Sequence, residues 1–242
     1  MKRLLFVMAV IFGLTACDKF DEIIPAGLTE TEVVQGLKSA LIVGSDTAVQ
    51  NCSRLNGFYS DQLIKILLPE DAKILVENIA LIPGGSQMLE SVILRMNRAA
   101  EDAASQATPI FVDAVTSMSF SDAFAILNGT DSAATNYLRQ KTFTPLTNLF
   151  LPVVSASLNK ELIGGVSTNE AWAELSGAYN TLANSLVGQL SGLTPVNTQL
   201  DAHVTNKGLN GLFYKLAMEE KSIRNDPWAR VNDILKKVFG NG

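Results

Sequence analysis

The sequence predicts an all-α fold, a single bundle-like domain of about eight to ten helices behind an N-terminal leader and a short tether. Apolar residues recur at helical spacing along most of the chain, and cap-forming residues stand before these runs with Gly or Pro after them. No stretch alternates apolar and polar residues for long enough to make a convincing strand. The expected organisation is a leader over residues 1–16, a lipidated cysteine and tether over 17–28, and one helical domain over 29–242.

Thr29-Glu30-Thr31-Glu32 fits a capping box, and Val33, Val34, Leu37, Ala40, Leu41, Ala48, Val49 and Cys52 then mark one face of a helix of about six turns. Leu63, Ile64, Ile66, Leu67 and Leu68 show no period and end at Pro69, which predicts an extended buried segment. Helical spacing returns through Ile74, Leu75, Ile79 and Leu81 until Pro83-Gly84-Gly85. Ser86 is then expected to cap a long helix. Its apolar face is Leu89, Val92, Ile93, Met96, Ala99, Ala100 and Ala103, with Glu90, Arg98, Glu101 and Asp102 largely elsewhere on the circumference.

Pro109 restarts or kinks the chain before Ile110. Ser121-Asp122 opens a short helix that Asn128-Gly129 closes, and Thr130-Asp131 opens another through Tyr137 and Leu138. Thr144-Pro145 reads as a fresh cap and first-turn proline ahead of Leu146, Leu149, Phe150, Val153 and Val154. A second capping box, Ser167 to Glu170, precedes Trp172, Leu175, Tyr179, Leu182 and Leu186, and Gly188, Gly192 and Pro195 interrupt that run. Leu209, Leu212, Phe213, Leu216 and Ala217 then share a face, with Glu219, Glu220, Lys221 and Arg224 beyond it. Asp226-Pro227 starts a final helix ending at Gly240.

Leu14-Thr15-Ala16-Cys17 resembles a bacterial lipobox. Lys2 and Arg3 form a positive start, and Leu4 to Leu14 is an apolar run too short to span a bilayer. Cleavage before Cys17 and acylation of its thiol would anchor the chain to a bacterial membrane, on the periplasmic side or at the cell surface. Asp18, Asp21 and Glu22 are compatible with more than one sorting route, so the leaflet stays open. Once Cys17 is acylated, Cys52 is the one remaining cysteine, and no intramolecular disulfide can form.

The formal charge is −5, and losing Lys2 and Arg3 with the leader makes the chain more acidic still. Nucleic acid is therefore not an expected partner, since phosphates call for Lys and Arg. His203 is the sole histidine and no Gly-x-Ser-x-Gly elbow occurs, which removes most imidazole-dependent hydrolase and zinc arrangements. His203 reads as a surface or helix-end residue, and Cys52, on an apolar stripe, as a buried structural thiol. Glu219 and Glu220 lack the Glu-x-x-His pattern of a metal site and are expected to pair with Lys215 and Arg224. Asn128-Gly129-Thr130 reads as a helix stop and start rather than a glycosylation site. No catalytic residue, metal or cofactor is expected.

Arg95, Arg98, Glu101 and Asp102 crowd one helix, where Arg98 can reach Glu101 at i+3 or Asp102 at i+4. They form either a salt-bridged structural cluster or a place where an arginine turns inward to grip a carboxylate or an anionic ligand.

Several segments carry a family resemblance: Leu94 to Glu101, Ala125 to Gly129 with Ala133-Ala134-Thr135, Lys207 to Phe213, Glu219-Glu220-Lys221 with Ile223-Arg224, and Leu235 to Gly240. They resemble the domain of unknown function family 4197, bacterial envelope proteins that are often lipoproteins. The likeness runs from about Gly36 to Gly240, with departures at Gly164-Gly165 and at Ile79 to Ile82. It implies an all-helical secreted domain and brings no catalytic residue with it. The functional expectation is a lipid-anchored envelope protein that binds or scaffolds an envelope partner without catalysis. The alternatives are a carrier of an apolar or amphipathic small molecule and an enzyme using Arg98 and Glu101.

Overall fold

The computed structural model describes residues 28–161, 165–226 and 236. The leader, Cys17 and nearly all of the tether lie outside the described residues, as does the helix expected after Asp226 apart from Lys236. Among the described residues the secondary structure is entirely helical, with nine α-helices and two 3-10 turns.

The first helix, α1, runs Glu30–Ser53 from the expected box, in which Glu32 N–H donates to the Thr29 hydroxyl while Glu32 accepts from Thr29 N–H. All eight residues of its anticipated apolar face are buried. The chain then leaves helical geometry from Arg54 to Pro69, as the missing period suggested. Burial there is selective: Phe58, Ile64 and Ile66 point inward, whereas Leu63 and Leu67 are exposed. Turns occupy residues 55–60 and 62–64 where an extended segment was expected, and only 65–69 run free of turn and helix, so the apolar run does not bury whole. Two 3-10 turns, Glu70–Ala72 and Ile79–Leu81, flank the short α2, Lys73–Glu77.

Helix α3 spans Gly85–Ala104, and its cap is Gly84 in the left-handed region at φ 71°, not Ser86. Met96, Ala99, Ala100, Ala103 and Ala104 are buried along it. The alanines let α9 lie close; a Cβ on Gly208 would stand 3.4 Å from the Ala100 methyl. Helix α4, Thr108–Thr116, carries Pro109 in its first turn, as a restart requires. Helix α5, Phe120–Leu127, is capped by Ser119 in a capping box with Asp122, two residues earlier than Ser121.

Helix α6 corrects the expected break at Pro145. It runs unbroken through Ala133–Asn159 with Pro145 and Pro152 inside, and it starts after Ser132 rather than Thr130. A helix-interior proline costs about 3 kcal/mol or more in isolation. Both prolines lie on the exposed side, where water can take the carbonyls they leave unpaired. Leu138, Thr142, Leu146, Phe150, Val154 and Leu158 are buried on the other side, and their packing overrides the local signal.

Helix α7, Thr168–Ala183, begins at the expected box on Ser167, and a separate short α8, Leu186–Leu190, follows it. Helix α9, Leu200–Asn225, lies against α1, α3 and α6. Phe213 on α9 meets Phe111 edge-on at 5.9 Å and Phe143 stacked at 6.2 Å, while the Arg139 guanidinium sits 4.6 Å above the Phe213 ring. The core is therefore the space between α1, α3, α6 and α9.

Candidate functional site

Glu101 was expected outside the apolar face of α3, but it is 4 % exposed and points into the protein. Its Oε1 accepts from Phe58 N–H at 3.2 Å and Tyr59 N–H at 3.5 Å, and its Oε2 accepts from Asn56 N–H at 3.3 Å and Arg98 Nη1 at 2.6 Å. Arg98 thus chooses Glu101 over Asp102, which is exposed, and its other nitrogen donates to Asn56 Oδ1 at 2.7 Å. Asn56 holds φ 65°, a left-handed conformation that asparagine tolerates better than most residues, and Gly57 follows it. A Cβ on Gly57 would lie 2.4 Å from the Cys52 carbonyl oxygen, so the turn closes this tightly only with glycine.

One turn earlier, Asn97 is fully buried and was not singled out from the sequence. Its Oδ1 accepts from Ile66 N–H and its Nδ2 donates to Ile66 O, both at 2.8 Å, with a further bond to Ile93 O at 2.7 Å. This side-chain amide pairs with the extended backbone as a neighbouring strand would. The signal was available: a lone amide on an otherwise apolar helical stripe needs a buried partner. His203 Nε2 bonds Leu67 O at 2.8 Å, and Lys215 forms an ion pair with Asp61. Lys215 therefore serves the loop rather than Glu219, whose Oε1 accepts from Asn51 Nδ2 at 3.4 Å. Burial lowers the His203 pKa from its ordinary value, and the Lys215 ammonium bonded to Asp61 lowers that carboxyl.

Arg95 donates to Val166 O at 2.7 Å, tying α3 to the residue before the α7 cap. The Cys52 thiol is fully buried, and desolvation pushes its pKa up to about 12, so it is a poor nucleophile.

A second buried carboxylate repeats the theme. Glu220 on α9, 7 % exposed, accepts from Ala134 N–H at 2.9 Å, Thr135 N–H at 2.8 Å and the Thr135 hydroxyl at 2.8 Å. Arg224 pairs with it at 3.0 Å in the expected i, i+4 arrangement and also donates to Ile126 O at 2.8 Å. Glu220 therefore caps the N-terminus of α6 from another helix, where the helix dipole favours a negative charge. Ser132 makes no side-chain cap there, which is why the local signal at Thr130-Asp131 misplaced the start of α6.

Among the described residues, the segments that carry the family resemblance converge on these two nodes; Leu235 to Gly240 lies outside them apart from Lys236. Leu94 to Glu101 supplies Asn97, Arg98 and Glu101, while Gly211 in the Lys207 to Phe213 segment admits the Phe58 ring, which a Cβ would approach to 2.6 Å. Ala125 to Gly129, Ala133 to Thr135 and Glu220 with Arg224 build the second node. A family model for proteins of unknown function, DUF4197, matches residues 27–240. The chain belongs to that family. No curated protein and no solved structure matches it. In this DUF4197 chain the clustered Arg and Glu residues hold backbone: four donors meet the two Glu101 oxygens, filling the acceptor sites a carboxylate has. No grouping of three or more His, Cys, Asp and Glu able to hold a metal occurs among the described residues.

Proposed function

We propose that this protein is a non-enzymatic binding or scaffolding module, anchored to a bacterial envelope membrane through lipid on Cys17. The lipobox-like Leu14 to Cys17 supports the anchor. The observation that carries the non-enzymatic part is the engagement of Arg95, Glu101, Glu220 and Arg224 with main chain and of Arg98 with the Glu101 and Asn56 side chains, while the large side chains left at the surface include many aliphatic ones. No single described helix is long and apolar enough to cross a membrane, so attachment by lipid is consistent with the helical body.

The intact mass of the mature protein taken from the membrane fraction tests this reading. The expected mass lacks residues 1–16 and includes lipid on Cys17; a chain with a bare thiol and its leader retained would overturn the anchor.

A second reading, a carrier of an apolar or amphipathic small molecule, is favoured by one cleft. Leu67, Leu68, Pro69, Val76 and Ile93 line about 350 Å³, with Glu70 and Lys73 beside them. The voids between α1, α6 and α9 hold only about 30 and 20 Å³, room for a water and no more. Native mass spectrometry of gently purified protein separates the readings: a co-purifying ligand lost on Val76→Trp supports the carrier, and a bare mass argues for the scaffold.

A further inference from the structure

Leu186, Val187 and Leu190 on α8 are 75, 70 and 80 % exposed, an aliphatic cluster on a five-residue helix. The cluster is held rigidly. Ser185 accepts from Gly188 N–H at 3.1 Å and donates to Leu182 O at 2.7 Å, Leu193 N–H returns to Gly188 O at 3.0 Å, and Gln189 reaches Asn184 O at 2.9 Å. Gly188 is buried against the end of α7, where a Cβ would lie 2.1 Å from the Leu182 oxygen. Gly192, at φ 75°, turns the chain away. The fold thus fixes this hook with its one buried residue inward and three aliphatic side chains outward.

Charge distinguishes this surface from the exposed leucines ahead of α2. Leu63 and Leu67 are interspersed with Asp61, Lys65, Glu70, Asp71 and Lys73, whereas every residue from Leu175 to Leu200 is uncharged. Burying Asp, Glu, Lys or Arg among acyl chains is costly, and acidic surfaces are repelled by anionic headgroups. In a chain with a formal charge of −5, an uncharged tip ringed by Asn184, Ser185, Gln189 and Ser191 has the chemistry to meet headgroups with its collar and acyl chains with its apex.

We infer that α8 is a membrane-contacting tip, with Leu186, Val187 and Leu190 entering the interface of the bilayer that holds the N-terminal lipid. This rests on the lipid-anchored reading above. An apolar protein contact would add to the lipid anchor and set the orientation of the domain on the surface.

The test uses the mature lipoprotein reconstituted into neutral phosphatidylcholine vesicles, with Val187→Cys carrying an environment-sensitive fluorophore. Cys52 is buried and Cys17 is acylated in this reading, so labelling is confined to position 187. Glu174→Cys, exposed on α7, is the control. The expected result is a blue-shifted emission at 187, shielded from an aqueous quencher, with 174 remaining aqueous. Adding Leu186→Ser and Leu190→Ser is expected to abolish the shift. Protein that floats with the vesicles while position 187 stays aqueous overturns the α8 contact and leaves the anchor standing, with the surface then free for a protein partner. Protein that fails to float overturns both.

Discussion

Glu101 and Glu220 each sit buried on a long helix beside an arginine of that helix, yet Glu101 gathers the irregular turn after α1 while Glu220 closes the N-terminus of α6. Their surroundings differ as well. The Arg98 side chain is 29 % exposed and can regain water if its partner is removed, whereas Arg224 is 10 % exposed and cannot do so without local opening. The same ion pair chemistry thus stabilises a peripheral loop in one place and a junction of α5, α6 and α9 in the other. Position in the fold, rather than residue type, sets how much each contributes.

The strongest way to break that comparison is Glu220→Ala. It leaves Arg224 buried without its carboxylate and the first turn of α6 uncapped, and the expected loss is about 3–5 kcal/mol of unfolding free energy in a denaturant melt. A loss below about 1 kcal/mol would show that the junction relaxes freely. Glu101→Ala is expected to cost less, about 2–3 kcal/mol, because Arg98 rehydrates and the three freed N–H groups lie on a loop that can open. Hydrogen exchange sharpens the contrast: Glu101→Ala should speed exchange at Asn56, Phe58 and Tyr59 well beyond its effect on α6, while Glu220→Ala should speed α6 and α9 together.

Asn97→Leu keeps the volume and removes the paired amide, leaving Ile66 N–H and C=O without partners at an expected cost of about 1–3 kcal/mol. Fast exchange at Ile66 with the rest of the loop unchanged would confirm that Asn97 acts on that residue alone.

The smallest effect concerns pH. Burial lowers the His203 pKa below its ordinary 6.5, so the unfolded chain binds the proton first on acidification. Stability from this residue is complete above about pH 6.5 and falls as pH drops through the lowered folded value. His203→Gln is expected to flatten the pH dependence in that window, and unchanged curves would show that His203 is not coupled to folding. Asp61, lowered chiefly by its bond to Lys215, acts in the same direction at more acidic pH, weakened by its exposure to solvent.

Local signals were readable where a helix is capped by its own neighbours. Thr29 with Glu32 and Ser167 with Glu170 form the boxes their spacing announces. They failed where another element does the work. Gly84 rather than Ser86 starts α3, Glu220 rather than Thr130 caps α6, and Pro145 sits within a helix because its exposed side tolerates it. The Arg98–Glu101 pair was legible from i, i+3 spacing, but its target, the backbone of residues 56 to 59, lies more than forty positions away in sequence. Nothing local announces such a partner.

The sequence by itself determined the all-helical class, the buried face of α1, the structural role of Cys52 and the Glu220–Arg224 pairing, because helical periodicity and spacing within one helix are local properties. Only the tertiary structure decided which carboxylates turn inward, which leucines stay outside and how α6 carries two prolines unbroken. Those outcomes depend on what neighbouring elements offer at each position: backbone N–H groups to Glu101 and Glu220, a continuous apolar stripe beneath α6, and little packing over Leu186, Val187 and Leu190.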